Sequence, residues 1–284
     1  MKGILALDID GTITSDHHDI PAPVVSYLQQ LAESGWQVIF ITGRTFNWGY
    51  SVLHHLHFPY HFAVQNGAII LTMPTREIIS KKYIDTAIFP VLEAICQDEL
   101  TDYTIYSGYE YGDKTYYRPN NFDDSLKDYI QQRLRALKES WIPLESYDQL
   151  PIKSFPSIKC FGDYEAAMRI SEAIEREIGL HAPVIRDPFA EDFYIIQATH
   201  PQVNKGYVVQ DFKRLLGGSS LIIAAGDDNN DLPMLAKADI KVVMENAPQE
   251  VLKMADIVAS PAKKQGIIKG LEAALAIAKE RYGC

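Results

Sequence analysis

The chain has 284 residues, of which 47% are hydrophobic, and its formal net charge is −10 at pH 7. That length allows a full hydrophobic core and about two domains. The acidic balance and the absence of a dense run of Lys and Arg argue against nucleic acid or an anionic membrane surface as a partner, and no apolar run approaches the ~20 residues that span a bilayer.

The N-terminus has the pattern of a strand and not that of a secretory leader. Cys96, Cys160 and Cys284 form no C-x-x-C pair, which is typical of thiols in a reducing compartment. We therefore expect a soluble, cytoplasmic protein with a small-molecule partner. The sequence indicates no oligomeric state.

The first predicted strand is the apolar run Gly3 to Leu7, which has the continuous pattern of a parallel strand buried on both faces. Asp8 and Asp10 follow directly at its carboxyl end, where open α/β sheets bind ligands. Two neighbouring carboxylates repel each other unless a cation or a shared proton relieves them, and a divalent metal is the simplest relief. An ordinary Asp-Gly-Thr turn is the alternative. A calcium loop is excluded, because counting from Asp8 puts Ile13 at the glycine position and Asp19 at the glutamate position.

The pattern then alternates helices and strands up to about residue 80. A helix over residues 24–31 precedes a buried strand at 36–41, which ends in Thr42 and Gly43. A helix through Leu56 and a strand near residues 62–64 follow. Beyond the tight turn at Asn66 and Gly67, a hairpin is expected to pair two short strands.

The character of the chain changes from about Lys81. Helical patterns alternate there with aromatic-rich strands, which predicts a separate α+β domain with its own sheet. The predicted helices cover residues 87–99, 125–139 and 164–178, and the predicted strands cover residues 103–106, 115–117, 158–161 and 193–196. The buried-strand pattern returns at residues 221–225, with further strands at 240–244 and 257–259 and an Ala-rich helix at the end.

The fold class predicted from these patterns is α/β, with a Rossmann-like parallel sheet core, helices on both faces and an inserted α+β cap domain. The core is expected over residues 1–80 and 199–284, and the cap over residues 81–198.

Four polar clusters lie at strand ends or helix starts of the predicted core, and parallel strands bring such clusters to one edge. They are Asp8 with Asp10, Thr42 with Gly43, Lys205 with Gly206, and the acidic run Asp227 to Asp231. Acids, a hydroxyl, a lysine and backbone N–H groups are what phosphoryl transfer requires. We interpret Asp8 as a nucleophile that forms an aspartyl-phosphate, and Asp10 as the acid and base that protonates the leaving alcohol and then activates water.

The motifs Asp8-x-Asp10-Gly11-Thr12, Thr42-Gly43-Arg44, Asn204-Lys205-Gly206 and Gly226-Asp227-x-x-Asn230-Asp231 occur in that order. They resemble the four signature motifs of the haloacid dehalogenase superfamily. The chain is most similar to its Cof-type sugar-phosphate phosphatases, whose large α+β cap is inserted between the second and third motifs. The resemblance covers nearly the whole chain.

The resemblance implies a Mg²⁺ ion held by the Asp8 carboxylate, the Asp10 main-chain carbonyl and Asp227, with waters at the other positions. It further implies that Thr42, the Gly43 N–H, Lys205 and Asn230 hold the phosphoryl oxygens. Asp231 would orient Lys205 or a metal-bound water from behind the ligands. Asp228 is expected beside Asp231 with no defined role.

The leading hypothesis is a Mg²⁺-dependent phosphomonoester hydrolase that acts on a small phosphorylated metabolite, such as a sugar phosphate. A phosphomutase or phosphotransferase shares the same core chemistry and stays open. A phosphorylatable signalling domain also uses acids, a Thr and a Lys around Mg²⁺, but such domains are much shorter. The histidines between His54 and His61 lack the fixed spacing and further ligands of a zinc site.

Overall fold

The computed structural model describes residues 2–16, 19–99, 101–137, 139–187, 190, 192–218 and 220–283. The backbone divides into two compact units. Unit 1 contains Met1–Lys81 and Val203–Cys284, and unit 2, the inserted unit, is Lys82–Gln202.

The described residues form sixteen strands: β1 Gly3–Leu7, β2 Trp36–Ile41, β3 Tyr60–Val64, β4 Ile69–Met73, β5 Glu77–Lys81, β6 Ile84–Asp85, β7 Tyr103–Tyr106, β8 Thr115–Tyr117, β9 Ile142–Pro143, β10 Ser154–Phe155, β11 Ser157–Gly162, β12 Val184–Arg186, β13 Tyr194–Thr199, β14 Ile222–Gly226, β15 Ile240–Met244 and β16 Ile257–Ala259. The same part of the chain forms nine α-helices: α1 Ala22–Glu33, α2 Phe46–Leu53, α3 Phe89–Asp98, α4 Asp124–Leu137, α5 Tyr164–Ala173, α6 Lys205–Leu215, α7 Leu232–Leu235, α8 Gln249–Leu252 and α9 Gly266–Tyr282.

Unit 1 is built on an eight-stranded sheet in the order β16-β15-β14-β1-β2-β3-β4-β5. The strands from β16 to β3 are parallel, and β4 and β5 add an antiparallel edge. From β1 the chain winds outward through β2 and β3, and it later returns to the other side of β1 through β14. The order therefore reverses between β1 and β14, and open α/β sheets bind ligands at such a switch point.

Helices cover both faces of this sheet, so its central strands are buried on both sides. Side chains of α6, α7 and α8 pack in one core cluster with alternate residues of β1, β2 and β14. On the opposite face, Gly270 of α9 lies against Val242 of β15, and α1 packs on β2. Burial on two faces accounts for the continuous apolar runs in the sequence.

Unit 2 has a six-stranded sheet in the order β12-β13-β11-β7-β8-β9, which is antiparallel except for the β8–β9 pair. Helices α3 and α5 bury one face of this sheet in a large apolar cluster. Helix α4 packs on part of the other face through a smaller cluster that includes Phe161 and Ile195. Strands β6 and β10 form a separate two-stranded ribbon.

These observations confirm the predicted fold class of a parallel α/β core with an inserted α+β region. Helix α2 differs from its prediction in that it ends at Leu53 and not at Leu56, because the chain turns there and the Leu56 N–H donates to the Leu53 carbonyl at 3.0 Å. Leu56 is still buried, so the turn places it in the core as a further helical turn would have done. Lys138, inside the predicted helix over residues 125–139, lies outside the described residues.

None of the helices among the described residues combines the length and apolar character that a membrane crossing requires.

Candidate active site

Asp8 lies at the carboxyl end of β1, at the switch point of the sheet. Its N–H donates to the Ala225 carbonyl of β14 at 3.0 Å, so the central ladder continues into the site. The side chain is buried, and one carboxylate oxygen accepts a hydrogen bond from Lys205 Nζ at 2.5 Å. Burial raises the pKa of Asp8 well above its ordinary value, Lys205 opposes this shift, and Asp231 and Asp227 add to it.

Lys205 is the first residue of α6, and its position depends on the cap of that helix. The side-chain oxygen of Asn204 accepts from the N–H groups of Gly206 and Tyr207 at 2.9 and 3.0 Å, which is standard N-cap geometry. A β-carbon on Gly206 would lie 2.4 Å from the Pro233 carbonyl oxygen, so glycine allows α6 to approach α7. These contacts fix the start of the helix that carries the lysine.

The side chain of Lys205 is 1% exposed and joins two acids. Its ammonium group donates to Asp8 at 2.5 Å and to Asp231 at 2.6 Å. Burial alone would lower the pKa of Lys205, but Asp231 and Asp8 together raise it above its ordinary value. Lys205 therefore stays charged.

Asp231 organises the loop after β14. Its second carboxylate oxygen accepts from the N–H groups of Asp227 and Asp228 at 2.9 and 3.0 Å, while its first accepts from Lys205. Asp228 is exposed, and its side chain accepts from the Asn229 N–H at 2.7 Å. The structure thus places Asp231 behind the site and turns Asp228 toward its own loop.

Asp227 follows β14 and faces the loop after β1. One of its carboxylate oxygens accepts from Thr12 Oγ1 at 2.9 Å. A β-carbon on Gly11 would lie 2.1 Å from the other oxygen, and Gly11 has a φ of +78°, so only glycine fits there. Burial raises the pKa of Asp227 to about 7, and the neighbouring Asp231 adds to the shift.

The donor set fits a small divalent cation. Carboxylate oxygens of Asp8, Asp227 and Asp231 lie within 4.8 Å of one another, and when all three acids are ionised their charge exceeds the single charge of Lys205. Both oxygens of Asp231 accept hydrogen bonds, whereas Asp8 and Asp227 each keep one oxygen that receives none from the described residues. Asp8 and Asp227 are therefore suited to be the carboxylate ligands of such a cation, and Asp231 supports the site through its hydrogen bonds.

Asp10 extends from the same loop but its carboxylate points to Arg44. It accepts two hydrogen bonds from the guanidinium group, one of them from Nε at 2.8 Å. The guanidinium carbon of Arg44 also lies 4.3 Å from the ring centroid of Trp48. Arg44 is 2% exposed, so the arginine is the buried partner of this pair.

Thr42 and Gly43 follow β2, the neighbour of β1, and therefore lie at the same edge of the sheet. Thr42 is buried, and its hydroxyl oxygen accepts from the Arg44 N–H at 3.1 Å, which leaves the O–H available to donate. The Thr42 carbonyl accepts from the Asn66 N–H at 2.8 Å. Asn230 is half-buried, in the turn that contains Asp231.

Direct contacts join Lys205 to Asp8 and Asp231, and a separate pair joins Asp10 to Arg44. Thr42, Gly43 and Asn230 are placed at the same edge by their strands. Sequence reasoning assigned no role to Arg44 or to Thr12. Their position inside two of the motifs was the only sequence signal for a role. Their partners are far away in sequence: Asp10 lies 34 residues from Arg44, and Asp227 lies 215 residues from Thr12.

Comparison with known proteins decides the family. A family model described as haloacid dehalogenase-like hydrolase matches residues 5–271. The chain belongs to this family. It is therefore an enzyme of the hydrolase class, and the resemblance inferred from the four motifs is confirmed.

Individual relatives are consistent with this family, although their sequence identity to the chain is low. The chain is 24% identical to the Putative phosphatase YxeH of Bacillus subtilis, over 94% of this chain and 96% of that protein. It resembles the crystal structure of a haloacid dehalogenase-like hydrolase from Bacteroides thetaiotaomicron, with a TM-score of 0.77 at 20% identity, over 96% of this chain and 100% of that one. The subclass IIB sugar phosphatase BT4131 gives a TM-score of 0.73 at 22% identity, over 96% and 98% of the two chains. At these identities the solved structures show the fold.

Proposed function

We propose that this protein is a Mg²⁺-dependent phosphomonoester hydrolase that acts on a small phosphorylated metabolite, a sugar phosphate, through an aspartyl-phosphate on Asp8. The observation that carries the proposal is the buried Asp8 carboxylate at the switch point, bound to Lys205 and close to Asp227. The family membership and the names of relatives described as phosphatases support it.

In the proposed reaction, an Asp8 oxygen forms a bond to phosphorus while the bond from phosphorus to the leaving oxygen breaks. Asp10 gives its proton to the leaving alkoxide and takes one from the water that later attacks the phosphorus. That attack breaks the bond to Asp8, so the carboxylate is restored and inorganic phosphate is released. Arg44 positions the Asp10 carboxyl throughout.

The remaining residues would stabilise the transferring group. Lys205, the Thr42 hydroxyl, the Gly43 N–H and Asn230 are the proposed donors to the phosphoryl oxygens. The Asp8 and Asp227 carboxylates with the Asp10 carbonyl would hold Mg²⁺, which neutralises charge on those oxygens when bound. Asp231 keeps Lys205 in place from behind.

The inserted unit is proposed to be the cap that selects the substrate, and the cytoplasm is the proposed location, since Cys96 and Cys160 are free thiols. A phosphomutase or phosphotransferase remains the second candidate, because its core chemistry would use the same residues. The two differ only in whether water or a second sugar accepts the phosphoryl group.

A test uses the purified protein with Mg²⁺ and a panel of sugar phosphates. Phosphate release is the readout, and peptide mass spectrometry after acid quench detects the acyl-phosphate. We expect turnover and a phosphorylated Asp8 peptide. Asp8→Asn should reduce turnover at least ~100-fold, because an amide oxygen is a far weaker nucleophile. Asp228→Asn, the same change at an exposed acid of the site loop, is the control. Turnover by Asp8→Asn near the wild-type level would refute the proposed nucleophile, and transfer to added sugar without phosphate release would favour the mutase.

A further inference from the structure

The sheet of unit 2 carries a row of polar side chains on the face opposite α3 and α5. Lys159 of β11 lies directly across from Thr104 of β7 and Gln197 of β13 in the strand register. Residues opposite each other in a sheet project from the same face, so the three side chains form one polar row. All three residues are buried. Burial of such a row is costly unless its polar atoms find partners.

Two donors of this row lack an acceptor among the described residues. Gln197 Nε2 is buried and makes no hydrogen bond. Lys159 Nζ makes no hydrogen bond or ion pair to the described part of the chain, and it lies 4.6 Å from the centroid of the Tyr106 ring. A buried lysine and amide with unused N–H groups at neighbouring positions are donors arranged for an acceptor from outside.

No carboxylate among the described residues pairs with Lys159. Arg133 of α4 forms an ion pair with Asp187, and Tyr129 donates to the same carboxylate oxygen at 2.5 Å. The nearby Asp187 carboxylate is therefore bound to Arg133 and Tyr129 and not to Lys159. Burial lowers the pKa of Lys159 to about 8, Arg133 contributes to the lowering, and Glu139, Asp187 and Asp113 oppose it.

We propose that Lys159 and Gln197, beside the Arg133–Asp187 pair, form a receptor within the inserted unit for one carboxylate or phosphate group of a small molecule. An anion there accepts from both side chains and balances the charge of Lys159. A neutral ligand would accept hydrogen bonds from these donors, but the positive charge of Lys159 would remain without a counter-charge. The anionic group has two sources: a second acidic group of the substrate, or a separate small anion.

Binding is tested first, without reference to catalysis. The full-length, metal-free protein carries ¹³C at the lysine ε-carbons, and the Lys159 resonance is identified by its loss in Lys159→Met. Malonate is the probe. We expect a saturable shift of this resonance and a rise in the Lys159 pKa of about one unit, as a nearby opposite charge produces.

The variants make this result specific. Malonate affinity is measured by calorimetry, which does not depend on the lysine signal. Lys159→Met and Gln197→Leu should each weaken malonate binding about tenfold, the scale of a lost hydrogen bond to a charged group. Lys153→Met, which removes an exposed lysine of the same unit, should bind like wild type. Because Lys159→Met risks a change in packing, Gln197→Leu keeps the test independent of one variant. A Lys159 resonance that malonate does not move, or equal affinity in all four proteins, overturns the proposal.

A second arm distinguishes the sources and rests on the proposed phosphatase function. It compares 3-phosphoglycerate with glycerol 3-phosphate, which has an alcohol in place of the carboxylate. If the anion belongs to the substrate, Lys159→Met raises KM for the acid about tenfold more than for the alcohol, and malonate competes. If the anion is a separate ligand, malonate still binds, but Lys159→Met changes KM for 3-phosphoglycerate and for glycerol 3-phosphate by the same factor. Absence of phosphatase activity leaves the malonate result intact, so the two proposals fail separately.

Discussion

Ion pairs and close steric contacts fix the positions of individual residues at the edge of the unit 1 sheet. Three buried or half-buried acids surround one lysine, and Asp231 uses both oxygens to hold Lys205 and the Asp227 loop. The acids that remain available, Asp8 and Asp227, come from the two strands that flank the switch point. Under the proposed function, the metal ion relieves the repulsion between these two carboxylates.

The tightest contact of this set gives the first prediction at this scale. Gly11→Ala places a β-carbon 2.1 Å from an Asp227 oxygen and forces alanine to a φ of +78°. Asp227 must move, so we expect Mg²⁺ affinity to fall at least tenfold, about 1.4 kcal/mol. The measurement is Mg²⁺ titration by calorimetry.

Gly35→Ala is the matched control for that variant. Gly35 has a φ of +101° but no atom within 4 Å of its would-be β-carbon, so it carries the backbone strain without the contact. It should lose stability and keep its Mg²⁺ affinity. Equal Mg²⁺ affinity in the Gly11 variant and wild type would show that Asp227 is not a ligand.

Helix α6 is the element on which the position of Lys205 depends. Asn204 closes its first turn, and Gly206 lets it lie against α7. Asn204→Ala removes two hydrogen bonds at the N-terminus and should lower the free energy of unfolding by about 1 kcal/mol. Because the lysine is the next residue, kcat on a phosphate ester should fall as well.

Asn204→Ser separates the two effects, since serine retains the helix cap. We expect it to recover most of the stability and of kcat, measured by denaturant unfolding and steady-state kinetics. If the alanine variant loses stability but keeps full kcat, the start of α6 does not set the position of the lysine.

The central strands were predictable from sequence because burial on two faces leaves a continuous apolar run, as in β1 and β14. The short strands β6, β9, β10 and β12 were not predicted, whereas β8 and β16, which are as short as β12, were. A segment of two or three residues is too short for its period to decide. Among the site contacts, the convergence of Asp8 with Asp227 follows from parallel topology. The Asp10–Arg44 pair does not follow from topology. Both residues lie in loops, where local backbone geometry decides which side chains meet, and sequence spacing does not predict that geometry.

At the scale of the whole molecule, protons and metal should compete. Burial raises the pKa of Asp227 to about 7 and that of Asp8 well above its usual range. Between about pH 4 and 7 the folded, metal-free protein then binds more protons than the unfolded chain, so these acids lower stability as pH rises. Under the proposed function, the rise in Tm caused by Mg²⁺ should grow over this range and level off above it.

The comparison that isolates this effect is wild type against Asp227→Asn. Burial lowers the pKa of His61 to about 4, and this gives a stability contribution of the opposite sign, which increases with pH. That contribution is common to both proteins and cancels in the difference. Asp227→Asn should therefore gain relative stability without metal as pH rises, and lose most of the Mg²⁺ response. An unchanged difference from about pH 4 to 7 would contradict the raised pKa.

The inserted unit gives the last prediction. Its sheet and two apolar clusters are its own, and the chain leaves unit 1 after Lys81 and re-enters it at Val203. Replacing Lys82–Gln202 with a short Gly-Ser bridge should leave the parallel sheet with Asp8, Lys205 and Asp227, all of which belong to unit 1. Circular dichroism and hydrogen exchange over β1 and β14 first establish that the sheet is folded. Under the proposed function, this protein should hydrolyse a small activated aryl phosphate slowly and lose discrimination among sugar phosphates, because only core groups remain to bind substrate. If the folded core keeps the wild-type ranking of kcat/KM across the sugar phosphates, selectivity lies in unit 1 and the inserted unit is not the element that chooses the substrate.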